Sequence, residues 1–137
     1  MKLITLLSCF FILFSFQTTK ASHGMGGEIT WRCLPNGQFV FTMNFYRDCQ
    51  GISCPGGPLN LIVSNHPTVT SIQLTSSYNE DLTPQGCGSC ANPGPGSVQK
   101  CVYESAPLTL AGTPPDSGWV FDWYSCCRST SLGNIMN

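Results

Sequence analysis

Strict alternation of apolar and polar residues along Glu28-Ile29-Thr30-Trp31-Arg32-Cys33 constrains this chain more than any other feature. A period of two sends Ile29, Trp31 and Cys33 to one side and Glu28, Thr30 and Arg32 to the other, the signature of a half-buried strand. Pro35-Asn36-Gly37 follows, and Asn-Gly tolerates the positive φ that a tight hairpin needs. Gln38 to Cys49 then returns as a second strand. Phe39, Phe41, Met43 and Phe45 share one face, and Val40, Thr42, Asn44 and Tyr46 share the other.

The same rule predicts strands over Leu59–Ser64 (Leu59, Leu61 and Val63 aligned) and Thr68–Thr75 (ending in Ile72 and Leu74). It predicts two more over Cys101–Leu110 (carrying Val102, Leu108 and Leu110) and Trp119–Arg128 (Trp119, Phe121 and Trp123 aligned). Gly/Pro-rich stretches at 50–58, 81–100 and 111–118 read as loops. No segment carries a 3.6-residue period. The expectation is an all-β, antiparallel β-sandwich of the Ig-like kind with long loops.

Residues 1–21 stand outside that pattern. Met1-Lys2 gives a positive start, Leu3 to Phe16 is nearly unbroken apolar chain, and Thr19-Lys20-Ala21 ends in small residues at the positions a signal peptidase reads. The apolar run is shorter than the roughly 20 residues a spanning helix needs, so a cleaved secretory signal is expected rather than a membrane anchor. Residues 22–137 then form a single domain, with no membrane span after cleavage. The last residues, Leu132-Gly133-Asn134-Ile135-Met136-Asn137, read as the start of another element, so the chain is expected to be the leading part of a longer protein.

Cleavage also changes the cysteine arithmetic. Cys9 leaves with the signal, and of the nine cysteines eight remain: Cys33, Cys49, Cys54, Cys87, Cys90, Cys101, Cys126 and Cys127. An even count in an exported chain predicts a disulfide framework, in a secreted or cell-surface location. Eight cysteines allow about 105 connectivities, so spacing alone assigns none. Cys49 with Cys54 is the simplest local pairing, with Cys87 or Cys90 bonded to a neighbouring strand. Cys126 and Cys127 are adjacent in a strand and point to opposite faces. The competing reading is a zinc site using Cys87-Gly88-Ser89-Cys90 with the Cys126-Cys127 pair. A lone C-x2-C is a weak zinc signal, and an oxidising compartment favours disulfides.

Charge excludes other classes. Only 9% of residues are charged, six basic against seven acidic. That is too few cations to neutralise a run of phosphates, so no nucleic-acid partner is expected.

Three spaced motifs together resemble a known group. Ser22-His23-Gly24-Met25-Gly26-Gly27-Glu28-Ile29-Thr30-Trp31-Arg32-Cys33 follows the signal, Phe45-Tyr46-Arg47-Asp48-Cys49 closes the hairpin, and Gly118-Trp119-Val120-Phe121 leads to Cys126-Cys127-Arg128. They resemble the N-terminal regions of large secreted surface proteins of Bacteroidota. Such proteins carry repeated Ig-like or PKD-like domains, and many end in a gliding-motility-associated sorting domain of the type IX secretion system. The resemblance implies surface location and adhesion, and it supplies no catalytic residues, metal or cofactor.

The residues themselves leave three functions open. The first is a non-enzymatic, exported, adhesin-like module with a structural or interaction role, meeting cell-surface proteins or glycans. The second is a carbohydrate-binding module, with Tyr46, Tyr103 and Tyr124 turned outward as a stacking platform. The third is a small secreted hydrolase. The last ranks lowest because no Ser/His/Asp, H-E-x-x-H or G-x-S-x-G pattern occurs. Most other aromatic residues are expected in the core, where each ring buries about 150–250 Å². His66, before Pro67, is expected in an exposed turn.

Overall fold

The computed structural model describes residues 24–124. The signal segment, His23, the adjacent pair Cys126 and Cys127, the far half of the last expected strand and the segment from Leu132 onward lie outside the described residues.

Six strands make up the fold: β1 (Gly24–Cys33), β2 (Phe39–Asp48), β3 (Leu59–Ser64), β4 (Ser71–Asp81), β5 (Val98–Ser105) and β6 (Val120–Asp122). They form one sheet in the order β1-β2-β5-β4-β3-β6, and every pairing is antiparallel. No helix occurs among the described residues. The all-β, antiparallel, disulfide-stapled expectation is therefore met. The core has two layers because one sheet curls over itself, not because two separate sheets stack.

The curl is visible in the aromatic contacts. β2 and β6 stand four strand spacings apart in the sheet order, which in a flat sheet is about 19 Å. Yet Phe41 of β2 meets Phe121 of β6 with ring centroids 4.6 Å apart, and Phe45 meets Trp123 at 5.7 Å. The sheet thus becomes a half-open barrel with β1 and β6 at its two edges. Its inner face holds Phe41, Met43, Leu61, Leu74, Cys101 and Tyr103, each nearly inaccessible to water. Burying such a side chain contributes about 1.5–3 kcal/mol, so this cluster is the main source of stability.

The β1–β2 hairpin follows the expected register, but Trp31, expected in the core, is corrected: on the edge strand it stays 62% exposed, its ring edge-on to Phe39 at 5.7 Å. Trp31 pairs with Phe41, Ile29 with Met43 and Gly27 with Phe45. Gly37 takes φ 79° in the connecting turn, and its N–H donates to the Leu34 carbonyl at 2.9 Å. β3 keeps its predicted bounds and buries Leu61 and Val63. β4 starts later and runs further than expected, to Asp81, and β5 occupies Val98–Ser105 rather than Cys101–Leu110. Leu108 is left in an isolated bridge to Phe39.

Two disulfides cross-link the sheet to its loops: Cys49 to Cys90, and Cys54 to Cys101. The local Cys49–Cys54 pairing is thereby corrected. Arg47 holds the intervening loop open instead, its guanidinium donating to Gln99 Oε1 at 2.7 Å and to the Ile52 carbonyl at 2.8 Å. Cys54 is carried away from Cys49 and meets β5. Cys90 is committed to Cys49, which removes the C-x2-C donor pair that the zinc reading required. Among the described residues no group of three or more His, Cys, Asp or Glu is placed to hold a metal ion.

Candidate functional site

The outer face of the sheet carries a polar and aromatic patch built across four strands. Strand register sets it out in rows. Glu28 of β1 stands beside Asn44 of β2, then Val102 of β5, then Tyr78 of β4. The next row runs from Tyr46 through Lys100 to Glu80. Val102 is only 2% exposed and forms the floor between Asn44 and Tyr78.

Tyr78 reaches this face because of a β-bulge between Ser76 and Tyr78. Ser76 pairs with Tyr103 and Tyr78 pairs with Val102, with Ser77 as the extra residue. A regular β4 of the same length would put Ser77 opposite Val102 and turn Tyr78 to the inner face. The bulge re-aims the side chain, as such irregularities do. Tyr78 is 53% exposed, the ring available to a partner.

Hydrogen bonds and charge order the patch. Asn44 Nδ2 donates to Glu28 Oε1 at 2.7 Å, and the Tyr46 hydroxyl donates to the same oxygen at 3.1 Å. These two bonds, Asn44 first, hold the Glu28 carboxyl below its ordinary pKa. Tyr46 is pushed up, mainly by burial and then by its bond to Glu28. Lys100 Nζ stands 2.6 Å from Glu80 Oε2. That contact raises the lysine pKa. The same ammonium lies 6.0 Å from the Tyr78 ring centroid, at the outer limit for a cation–π contact. The result is a flat surface with two tyrosine rings flanking an anchored ammonium, plus two carboxylates and an amide fixed in orientation. Such a surface can stack an apolar ring face and accept or donate hydrogen bonds at its rim.

The three tyrosines expected to form a platform go to three places. Tyr46 lies on the outer face. Tyr124 follows β6 and is 88% exposed. Tyr103 is corrected: it pairs with Met43, faces inward and is 1% exposed. Its hydroxyl donates to the Pro55 carbonyl at 2.7 Å, and burial raises its pKa. Choosing Val102 as the apolar marker of this strand assigned the wrong parity. Val102 belongs to the outer face, and Cys101 and Tyr103 belong to the inner. No ring contact or hydrogen bond joins Tyr46 to Tyr124 among the described residues.

Glu28, Asn44, Tyr78, Glu80 and Lys100 are additions that strand reading missed. Glu28 and Asn44 were legible from the hairpin alternation, which already put them on Tyr46's face. Tyr78 had no signal, because nothing in Ser76-Ser77-Tyr78 marks a bulge.

Loops close both ends of the barrel. Asp81 accepts from the backbone N–H of Thr83 at 3.0 Å and of Cys90 at 2.7 Å. Thr83, through its side chain first, and then the Cys90 N–H hold this carboxyl below its ordinary pKa. Gly88 takes φ +89°, and a Cβ there would stand 2.6 Å from the Asn92 carbonyl oxygen, so the turn admits only glycine. At the other end His66 Nδ1 accepts the N–H groups of Thr68 (3.2 Å) and Val69 (3.0 Å), and the imidazole lies against Trp119. The histidine organises a turn and is half-buried rather than fully exposed.

Compared with family models, with curated proteins and with solved structures, the chain gives no match to any of them.

Proposed function

We propose that this chain is an exported, non-enzymatic interaction module of a cell-surface, adhesin-like protein, and that it engages its partner through the outer face of the sheet. The observation that carries this reading is the Tyr46–Lys100–Tyr78 patch, with Glu28 and Glu80 on its two sides. Its polar groups are oriented by hydrogen bonds on a sheet stapled by two disulfides. A surface of this kind is pre-organised, so a partner binds without first ordering it. Two disulfides suit an oxidising environment, which supports the secretory reading of residues 1–21. The resemblance to Bacteroidota surface proteins supports the same function. The test is binding of the labelled, oxidised protein to intact cells and to arrayed matrix proteins. The double variant Tyr46→Ala/Tyr78→Ala should lose at least about tenfold in affinity, a difference of about 1.4 kcal/mol. Unchanged binding by that variant overturns the assignment to this face.

One feature favours carbohydrate as the partner. Two tyrosine rings beside fixed carboxylate and amide groups match the stacking and hydroxyl-bonding needs of a saccharide. A glycan array separates this reading from protein adhesion. Saccharide binding that vanishes in Tyr78→Ala supports it, and a blank array with retained cell binding removes it.

A further inference from the structure

β1 is one edge of the half-open barrel, and among the described residues no strand pairs with its outer side. We propose that this edge is a self-association surface, to which β1 of a second copy of the chain adds antiparallel about a two-fold axis at Thr30.

Main-chain directions supply the first argument. The Leu34 N–H donates to the Gln38 carbonyl at 2.7 Å, and Phe39 exchanges hydrogen bonds with Leu108 on the other side of β2, at 2.8 and 3.0 Å. In an antiparallel ladder such directions alternate. Glu28, Thr30 and Arg32 therefore bond toward β2, and Gly27, Ile29, Trp31 and Cys33 turn their N–H and C=O groups outward. An antiparallel partner must set its own outward residues against these. Proteins ordinarily guard such an edge with lysine, proline or a bulge. Gly24–Cys33 contains neither lysine nor proline, and its register shift, between Gly24 and Gly26, lies at one end. Gly27 to Cys33 is left as a regular, unguarded length.

Charge selects both the partner and the register. The charged residues of β1 are Glu28 and Arg32, both on the outer face, with Thr30 midway between them. When Thr30 stands opposite the partner's Thr30, Glu28 faces the partner's Arg32, and two-fold symmetry makes the pair twice. Sliding by two residues, the next step the outward groups allow, loses both pairs. Sliding by four sets Arg32 against the partner's Arg32, or Glu28 against the partner's Glu28. Both side chains are ready for the pairing. Asn44 and Tyr46 bond to Glu28 Oε1, and Oε2 accepts no hydrogen bond among the described residues. Arg32 Nη2 stands 3.9 Å from Glu104 Oε1, a long contact, and its side chain is 60% exposed.

The inner face agrees with this register. Trp31, exposed in the single chain, stands opposite the partner's Ile29, and Ile29 opposite the partner's Trp31, so apolar rings and branches cover one another. Cys33 falls opposite the partner's Gly27, which has no side chain to obstruct it. The four outward pairs supply about eight main-chain hydrogen bonds. A strand of unrelated sequence would satisfy the main chain alone.

Sedimentation of the full oxidised protein across a concentration series tests the proposal, with a reversible dimer expected. Glu28→Arg or Arg32→Glu alone should weaken the dimer at least about tenfold. The double exchange Glu28→Arg/Arg32→Glu should return it to within about threefold of the parent. The readout is mass, so partner binding by the outer patch does not enter it. Facing Cα atoms of a non-hydrogen-bonded pair stand about 4.5 Å apart, within disulfide range. Thr30→Cys in a Cys33→Ser background should therefore give a dimer linked between the two substituted positions without reductant. Cys33 itself lies about 20 Å along the edge from the partner's Cys33, so the parent dimer should carry no bond between them. A monomer at every concentration, as when another stretch of chain covers the edge, overturns the proposal. So does a dimer indifferent to both single reversals, one that the double exchange fails to restore, or one joined through Cys33.

Discussion

Tyr46 and Tyr103 sit on adjacent strands of one sheet, three residues apart in register, and meet opposite fates. Tyr103 faces inward, its ring in the core and its hydroxyl bonded to the Pro55 carbonyl. Tyr46 faces outward, its hydroxyl bonded to a side chain that sits in water. The inner face is built from buried side chains of β2, β3, β4 and β5, with Ile29 of β1 and Phe121 of β6 packed against them, and from the Cys54–Cys101 bond. The outer face is built from pairs of polar groups that satisfy one another. Stability therefore belongs to the inner face and the proposed recognition to the outer, so each should be alterable without the other.

The sharpest way to break that division is Tyr103→Ala. Removing a buried ring costs about 3–5 kcal/mol, measured by chemical denaturation, and binding should fail only as the protein unfolds. Tyr103→Phe keeps the ring but leaves the Pro55 carbonyl unpaired, at about 1–3 kcal/mol. Next comes the inner-face covalent link. Replacing Cys54 and Cys101 together by Ser frees a loop with sequence separation 47, and the melt without reductant should show a loss of about 2–4 kcal/mol. On the outer face, Tyr78→Ala should leave stability within about 0.5 kcal/mol of the parent while reducing partner binding. A large stability loss there would show that the outer ring is a packing residue.

The smallest effect is acid-dependent. The folded pKa of Glu28 is lowered by Asn44 and Tyr46. Its contribution is present at neutral pH and disappears as pH falls through that lowered value. Glu28→Gln should therefore be slightly less stable near pH 7, with the difference vanishing in acid, as followed by melting temperature across a pH series. The Lys100–Glu80 contact has the opposite sense for the lysine. Its raised pKa keeps the ammonium charged until pH rises well into the alkaline range.

The same two faces explain what the sequence reveals. β2 and β3 were legible because each carries a buried apolar row, and β1 because its alternation and the Asn36-Gly37 turn set its register on β2, although that edge strand stays largely exposed. β5 resists that reading. Cys101, Val102 and Tyr103 are all buried, so hydrophobicity does not distinguish inside from outside. The disulfide partners were hidden for a different reason. Cys49 and Cys54 are close in sequence, but Arg47 and the loop it braces carry them to different strands. The patch was half legible, since Tyr46, Asn44 and Glu28 follow from the hairpin. Tyr78 depends on a bulge that no residue type announces.

That bulge has a consequence for how the chain tolerates change in length. β2 has no slack within Phe39–Asp48: losing one residue there would rotate every side chain on one side of the gap to the wrong face. β4 holds one surplus residue at Ser77. Deleting Ser77 would straighten the strand and still leave Tyr78 opposite Val102. A one-codon deletion at this point of β4 can be absorbed with both the core and the outer patch intact, as can one at the register shift between Gly24 and Gly26 near the start of β1.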